Sequence, residues 1–288
     1  MSTLILNGRN VRDARMKELK TRFSSLIAPP VLAIIQVGGR EDSTAYIRAK
    51  TTFAEKLGVP VKHIRLPEHI SEKELIVKVW ECNENEEVKG IIVQLPLPIE
   101  INQDAVIEAI SPKKDVDALT SANVKAWLAG REDAILPATT RGVKQLLSYY
   151  KIDLTGKHVV IVGRSMLVGK PTAAFALNQN ASITVCHSKT PDLVTETKKA
   201  DVLIVAAGRP NLITAHHVRE DAIVIDVGMN SVKGEKFEEE IEGRKLVGDV
   251  DFDSVSRIAS AITPVPGGVG PMTVLSIFEN LADLCMRG

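Results

Sequence analysis

The chain is poor in the residues that build cross-linked or metal-bound scaffolds. It has three cysteines, Cys82, Cys186 and Cys285, which are scattered and form no C-x-x-C pair. That excludes a disulfide framework and fits a reducing compartment. The six histidines show no zinc spacing. His216 and His217 are adjacent, so they point to different faces and read as surface residues. Net charge is also missing, because 36 basic residues balance 36 acidic ones. No global field therefore favours nucleic acid or an anionic membrane. No apolar run is long enough to span a bilayer, and no signal-type apolar region stands near the start. A cytoplasmic globular chain is expected, with no metal, nucleic-acid or membrane partner.

What is present is an alternation of strand-like and helix-like segments. Val31–Val37, Val61–Leu66 and Gly90–Leu95 read as strands. Between them, Ser43 is a candidate N-cap for a helix running to Gly58, and Ser71-Glu-Lys-Glu74 is a capping-box pattern that opens another. The second half repeats the style, with strand candidates at Lys157–Val162, Ser182–Cys186, Val202–Ala206, Ile223–Val227 and Lys245–Val247. Such βαβ order predicts parallel sheets with helices on their faces. The length allows two domains, and the boundary is expected within Ser111–Arg141. Val274–Cys285 reads as a closing amphipathic helix.

The most informative stretch is Lys157–Pro171. A β-branched run, Val159–Val162, ends at Gly163; Gly169 follows six residues later, and Pro171 suits a first helical turn. A strand that ends in a glycine turn and opens a helix aims backbone N–H groups at one spot, which suits a phosphate. The pattern is neither a complete G-x-G-x-x-G nor a P-loop; an ordinary strand-to-helix connection is the alternative. The next strand ends in Cys186-His187-Ser188-Lys189, without the acid that holds a ribose in NAD sites. With Arg164 in the turn, this suits the extra phosphate of NADP, although a solvated arginine is the plainer reading.

Tyr46, Lys50, Phe53 and Leu57 share a helix face. Lys50 thus falls in an inward stripe, as a desolvated proton carrier or as an ammonium snorkelling to the rim. Gln94 closes a strand where ligands of open sheets bind. Asp117, in Lys113-Lys114-Asp115-Val116-Asp117, can hold a ring with several N–H donors or simply face solvent. Thr263–Thr273, TPVPGGVGPMT, is expected to be irregular, its glycines allowing close backbone approach.

Together these pieces resemble the bifunctional methylenetetrahydrofolate dehydrogenase/methenyltetrahydrofolate cyclohydrolase family. The matching pieces are Tyr46-x-x-x-Lys50, Gln94–Pro98, Lys114–Asp117, Gly163-Arg-Ser-x-x-Val-Gly-x-Pro171, Thr184–Thr190, Asp226-Val-Gly-x-Asn230, Gly248–Val250 and the run 263–273, all in the family's order. The resemblance implies two α/β domains with a cleft between them: a folate-binding catalytic domain at 1–118, completed by a helix at 270–288, and a Rossmann-like NADP domain at 140–265. It implies oxidation of 5,10-methylenetetrahydrofolate with NADP, then hydrolysis to 10-formyltetrahydrofolate for one-carbon metabolism and purine biosynthesis. Tyr46 would pack on the folate rings and Asp117 would hold the pterin. Lys50, supported by Gln94, would serve hydrolysis, and Pro266, Gly267 and Gly268 would line the folate site. Gly163, Arg164 and Ser165 would bind cofactor phosphates, Ser188 the 2′-phosphate, and Met229 would lie along the cofactor. A homodimer is implied as well. A dehydrogenase without the hydrolase step, or a binding protein without turnover, are the alternatives, and the retained Lys50, Gln94 and Asp117 favour the bifunctional enzyme over both. The chain departs from the family pattern in one region. Ala118 and Lys125 stand where glycines are usual, and Pro137-Ala-Thr-Thr-Arg-Gly142 replaces Pro-Cys-Thr-Pro-x-Gly.

Overall fold

The computed structural model describes residues 3–233 and 244–287. In chain order its elements are β1 (Leu4–Ile5), α1 (Gly8–Ser24), β2 (Val31–Val37), α2 (Glu41–Leu57), β3 (Val61–Leu66), α3 (Glu72–Glu84) and β4 (Val88–Val93). Three helices follow, α4 (Gln103–Glu108), α5 (Ser121–Leu128) and α6 (Ala138–Tyr149). Then come β5 (His158–Val162), α7 (Gly169–Asn178), β6 (Ser182–Cys186), α8 (Leu193–Thr197), β7 (Val202–Val205) and β8 (Ile223–Asp226). The last elements are β9 (Asn230–Lys233), β10 (Arg244–Val247), α9 (Phe252–Val255), β11 (Ala261–Ile262) and α10 (Val269–Arg287).

The chain forms two compact units. The first holds Ala14–Trp127, Arg131–Ala138 and Val274–Gly288. Its sheet has three strands in the order β3-β2-β4, all parallel. Leu32, Ala33, Ile34 and Ile35 of β2 are fully buried, the continuous apolar run of a strand covered on both faces. Within this unit Phe53 of α2 stacks at 5.3 Å on Phe278 of α10. Arg15 and Arg22 of α1 pair with Glu279 and Asp283 at 2.7 and 2.5 Å.

The second unit holds Met1–Asp13, Leu128–Gly130 and Thr139–Thr273. Its sheet has six parallel strands in the order β1-β11-β8-β7-β5-β6. β9 and β10 form a separate antiparallel ribbon, so Lys245–Val247 is a strand but not one of the parallel sheet. The domain limits expected from the sequence differ at the start. Leu4 and Ile5 pair with Ala261 and Ile262, which puts the first residues in the Rossmann-like unit rather than in a catalytic domain beginning at residue 1. Gly288 lies outside the described residues.

Local signals explain most element ends. Ser71 accepts from the Glu74 N–H while the Glu74 carboxylate accepts from the Ser71 N–H, the expected capping box. Gly58 closes α2 at φ 70°, the left-handed conformation that glycine tolerates best. Ser43 is not the N-cap of that helix. The Thr44 N–H already donates to Arg40 O at 3.0 Å, so the helix begins at Glu41 and Ser43 is buried inside it. β4 runs from Val88 to Val93, two residues earlier than expected, because Val88 already pairs with Val31. The run 263–273 is also only half irregular: α10 starts at Val269 and takes Pro271 into its first turn.

Candidate active site and cofactor site

In the first unit, α2 carries a stripe that emerges from the core. Phe53 and Leu57 are buried, Lys50 is half-buried and Tyr46 is 43 % exposed. Lys50 does not snorkel outward. Its Nζ donates to Gln94 Oε1 at 3.0 Å. The Gln94 amide is oriented for this, because its Nε2 donates to Leu95 O at 2.9 Å and leaves the oxygen toward the lysine. Gln94 itself follows β4, and its N–H donates to Ile35 O at 2.8 Å, extending the ladder by one step. Burial pulls the Lys50 pKa down from its ordinary value, opposed by the nearby Asp117 carboxylate. Burial pushes the Asp117 carboxyl up, opposed by Lys50 and reinforced by Asp115. Both shifts favour the neutral forms.

Asp117 sits on a turn fixed from below. Asp115 is buried; its Oδ2 accepts from the Thr120 N–H at 2.8 Å and from Asn123 Nδ2 at 2.9 Å. Ala118 stands at φ 57°, a left-handed conformation that costs a non-glycine residue about 1 kcal/mol. This gives a physical reason why glycine suits the position. Asn280 of α10 donates to Val116 O at 2.7 Å and to Leu136 O at 2.9 Å. Sequence reasoning missed it; the available signal was a polar residue amid an apolar helix. Lys114 of the same motif is structural. Its Nζ donates to the Cys82, Asn83 and Asn85 carbonyls, the last at 2.9 Å, and supplies the cation that the end of α3 lacks. Of the other departures, Lys125 is exposed, and the buried Thr140 hydroxyl lies 3.1 Å from that of Thr172 in the second unit.

In the second unit, β5 ends at Val162 and the turn closes on itself. Gly163 takes φ 138° and donates to Cys186 O at 2.9 Å. A Cβ on Gly169 would stand 2.3 Å from Gly163 O, so only glycine lets the helix start return this close to the strand end. Val168 at the N-cap of α7 offers no side-chain oxygen. The Ser165 hydroxyl accepts from the Val168 and Gly169 N–H groups at 3.2 and 3.4 Å. Arg164 and Ser165 are exposed on this turn. Strand register places Val162 beside Cys186, so Ser188 lies at the end of the neighbouring strand. The turn bearing Ser188 is tied by His187 N–H to Thr190 Oγ1 at 2.9 Å and Thr190 N–H to His187 O at 2.8 Å. It contains no carboxylate. A glycine turn before a helix start, an exposed arginine and a hydroxyl on the adjacent strand end fit a phosphorylated dinucleotide. Met229 follows β8 and is 39 % exposed. Pro266 is exposed, whereas Gly267 and Gly268 are buried, and the Gly8 N–H donates to Gly267 O at 2.9 Å. Those glycines thus make a close approach within the protein itself. Among the described residues, no group of three or more acidic, cysteine or histidine side chains could hold a metal.

A parallel six-stranded sheet with a glycine turn at a strand end, together with a separate α/β unit carrying a half-buried lysine bonded to a glutamine, is the build expected of a two-unit dinucleotide-binding enzyme. The family comparisons are more specific. The catalytic-domain model of tetrahydrofolate dehydrogenase/cyclohydrolase matches residues 6–117, and the NAD(P)-binding-domain model of the same family matches 137–287. The bifunctional protein FolD of Halalkalibacterium halodurans is 45 % identical over 283 residues, covering 97 % of this chain and 98 % of that protein. The crystal structure of the bifunctional FolD enzyme of Campylobacter jejuni superposes with a TM-score of 0.93 at 40 % identity, covering 99 % of each chain. That of the Trypanosoma brucei enzyme, complexed with NADP and an inhibitor, has a TM-score of 0.94 at 36 % identity and covers 100 % of this chain and 98 % of that one. The chain belongs to the tetrahydrofolate dehydrogenase/cyclohydrolase family. It carries both the catalytic domain and the NAD(P)-binding domain of that family.

Proposed function

We propose that Lys50, Gln94, Asp117 and Tyr46 form the folate site and its hydrolytic machinery, and that Gly163, Arg164, Ser165, Ser188 and Met229 hold NADP. The enzyme oxidises 5,10-methylenetetrahydrofolate to the methenyl form and hydrolyses that to 10-formyltetrahydrofolate, a formyl donor of the kind purine biosynthesis consumes. Bound NADP supplies the hydride acceptor. The chain's residues supply position and protons. Tyr46 offers an exposed ring for the folate to stack on, and the Asp117 carboxylate accepts from the pterin's N–H edge.

In hydrolysis, water adds to the methenyl carbon; one of its protons is released, and the other passes to the leaving nitrogen as the carbon–nitrogen bond breaks and the formyl C=O forms. Lys50 carries that proton, since burial favours its neutral amine. The Lys50–Gln94 hydrogen bond at 3.0 Å is the observation that supports this most directly. Hydride transfer needs the nicotinamide and the folate carbon in contact, but no proton from the protein. Lys50→Met is therefore expected to cut methenyl hydrolysis by ~100-fold or more while dehydrogenase activity falls less. Purified, folded variant assayed for both steps decides this. Unchanged hydrolysis removes Lys50 as proton carrier, and equal loss of both steps assigns it to folate binding.

A homodimer through the cofactor unit is the expected assembly. β6 is the edge of the six-stranded sheet, and Val185 on it and Leu177 on α7 are exposed. An apolar edge of this kind calls for cover. Light scattering at micromolar concentration should give the mass of two chains; a single-chain mass rejects the dimer. The three free cysteines suit a reducing, cytoplasmic setting.

A further inference from the structure

Two short motifs of the cofactor unit, Asp226-Val-Gly228 and Gly248-Asp249, interlock. Asp226 is buried; its Oδ1 accepts from the Gly228 and Asp249 N–H groups at 2.9 and 3.1 Å, and its Oδ2 from Val250 at 3.0 Å. A Cβ on Gly248 would stand 1.8 Å from Asp226 Oδ2, and one on Gly228 would stand 2.2 Å from Asp249 Cγ. Each glycine is the space that the other motif's carboxylate fills.

Asp249, fully buried, continues the chain of contacts to the end of β7. Its Oδ2 accepts from the Ala207 and Gly208 N–H groups at 2.6 and 2.9 Å. Its Oδ1 accepts from the Arg209 N–H and from Asn230 Nδ2, both at 2.8 Å. Three successive backbone N–H groups around one anion make a nest. This nest lies at the carboxyl end of a parallel strand, where such sheets bind ligands. Here the chain's own carboxylate fills it. The same carboxylate holds Asn230, the neighbour of Met229, so one group ties the turn after β7 to the segment after β8.

We propose that Asp249 is a positioning residue for NADP, holding the Ala207–Arg209 turn and the Met229–Asn230 segment in the conformation that receives the cofactor. The inference rests on assigning Met229 and this sheet end to NADP. It predicts that Asp249→Ala weakens NADP binding by about tenfold or more, the size of a lost charge-assisted hydrogen bond. Asp249→Asn, which keeps one acceptor oxygen, should recover part of that loss. Methenyl hydrolysis needs no NADP, so it should stay near the wild-type rate in both variants.

The experiment is calorimetric titration of wild type and both variants with NADP, with dehydrogenase kcat and KM and hydrolysis measured on the same preparations. A raised NADP KM with retained hydrolysis and partial recovery in Asp249→Asn supports the role. Unchanged NADP affinity in Asp249→Ala overturns it. An equal fall in both activities overturns it too, and makes Asp249 a residue of fold stability alone. A wild-type chain that binds no NADP would overturn the cofactor assignment itself, and the inference with it; that result is visible before any variant is compared.

Discussion

Arg164 stands exposed on the turn after β5, and Ser188 stands exposed at the end of β6, whose Cys186 pairs with Val162. In the proposed NADP site a guanidinium and a hydroxyl stand beyond adjacent strand ends, and no carboxylate lies in the Ser188 turn to repel a phosphate. Arg164→Ala should weaken NADP binding more than NAD binding, by ~1–3 kcal/mol. Titration with both cofactors measures the difference, and a wild-type enzyme that prefers NAD sinks the reading. The residues of this turn were legible because they are neighbours in sequence. The Lys50–Gln94 bond was not, since it joins residues 44 positions apart. Helix spacing identified Lys50 as unusual and left its partner open; the family motif supplied it. The four donors to Asp249 lie 19 to 42 positions away in the chain, and no local pattern marks a buried aspartate as the filler of a nest.

Elements were legible where their ends carry their own chemistry. The capping box at Ser71 and the left-handed Gly58 act through neighbouring backbone groups, and both are present. The start of α2, and that of α10 as read from its periodicity alone, were placed late for the opposite reason, while the family resemblance had α10 begin at 270. Neither start is set by a capping side chain of the expected kind: the Arg40 side chain at the first N-cap does not cap the helix, and the second helix begins inside a Gly-Pro run. The turn joining β5 to α7 offers the sharpest test at this scale. Gly169→Ala would place a methyl 2.3 Å from Gly163 O, and backbone there cannot give way without opening the turn. The NADP KM should rise about tenfold or more, as expected when backbone donors to a phosphate are displaced. Circular dichroism and retained methenyl hydrolysis show that the rest of the chain still folds. An unchanged NADP KM would mean that the turn does not cradle the cofactor.

At the scale of the molecule, two parallel sheets were foreseeable from the alternation of strands and helices, but the place of the first strand was not. Leu4–Ile5 is two residues long and finds its partner in β11, far along the chain, so no local pattern announces it. The buried carboxylates set a second property of the whole fold, its response to pH. Asp226 is 3 % exposed, and burial pushes its carboxyl up to about 7, with Asp249 adding to the rise and three backbone N–H groups opposing it. An unfolded aspartate releases its proton near pH 4 (roughly). The folded chain therefore holds a proton that the unfolded chain has lost, and stability contributed at low pH disappears as pH rises through about 7. Asp117, also raised, acts in the same sense. His63 and His217, whose pKa values burial lowers, act in the opposite sense as pH falls through the ordinary histidine range. Asp153, Asp192 and Asp201, held low by hydrogen bonds, lose their contribution only in stronger acid. The wild-type profile is thus a sum, and Asp226 is isolated by difference. Between about pH 5 and 7, the stability of wild type relative to Asp226→Asn should fall by up to about 1 kcal/mol per pH unit. Thermal melts of both proteins across that range, followed at matched ionic strength, give the difference directly. Parallel profiles would show that Asp226 stays ionised in the fold, with its three N–H donors outweighing the cost of burial.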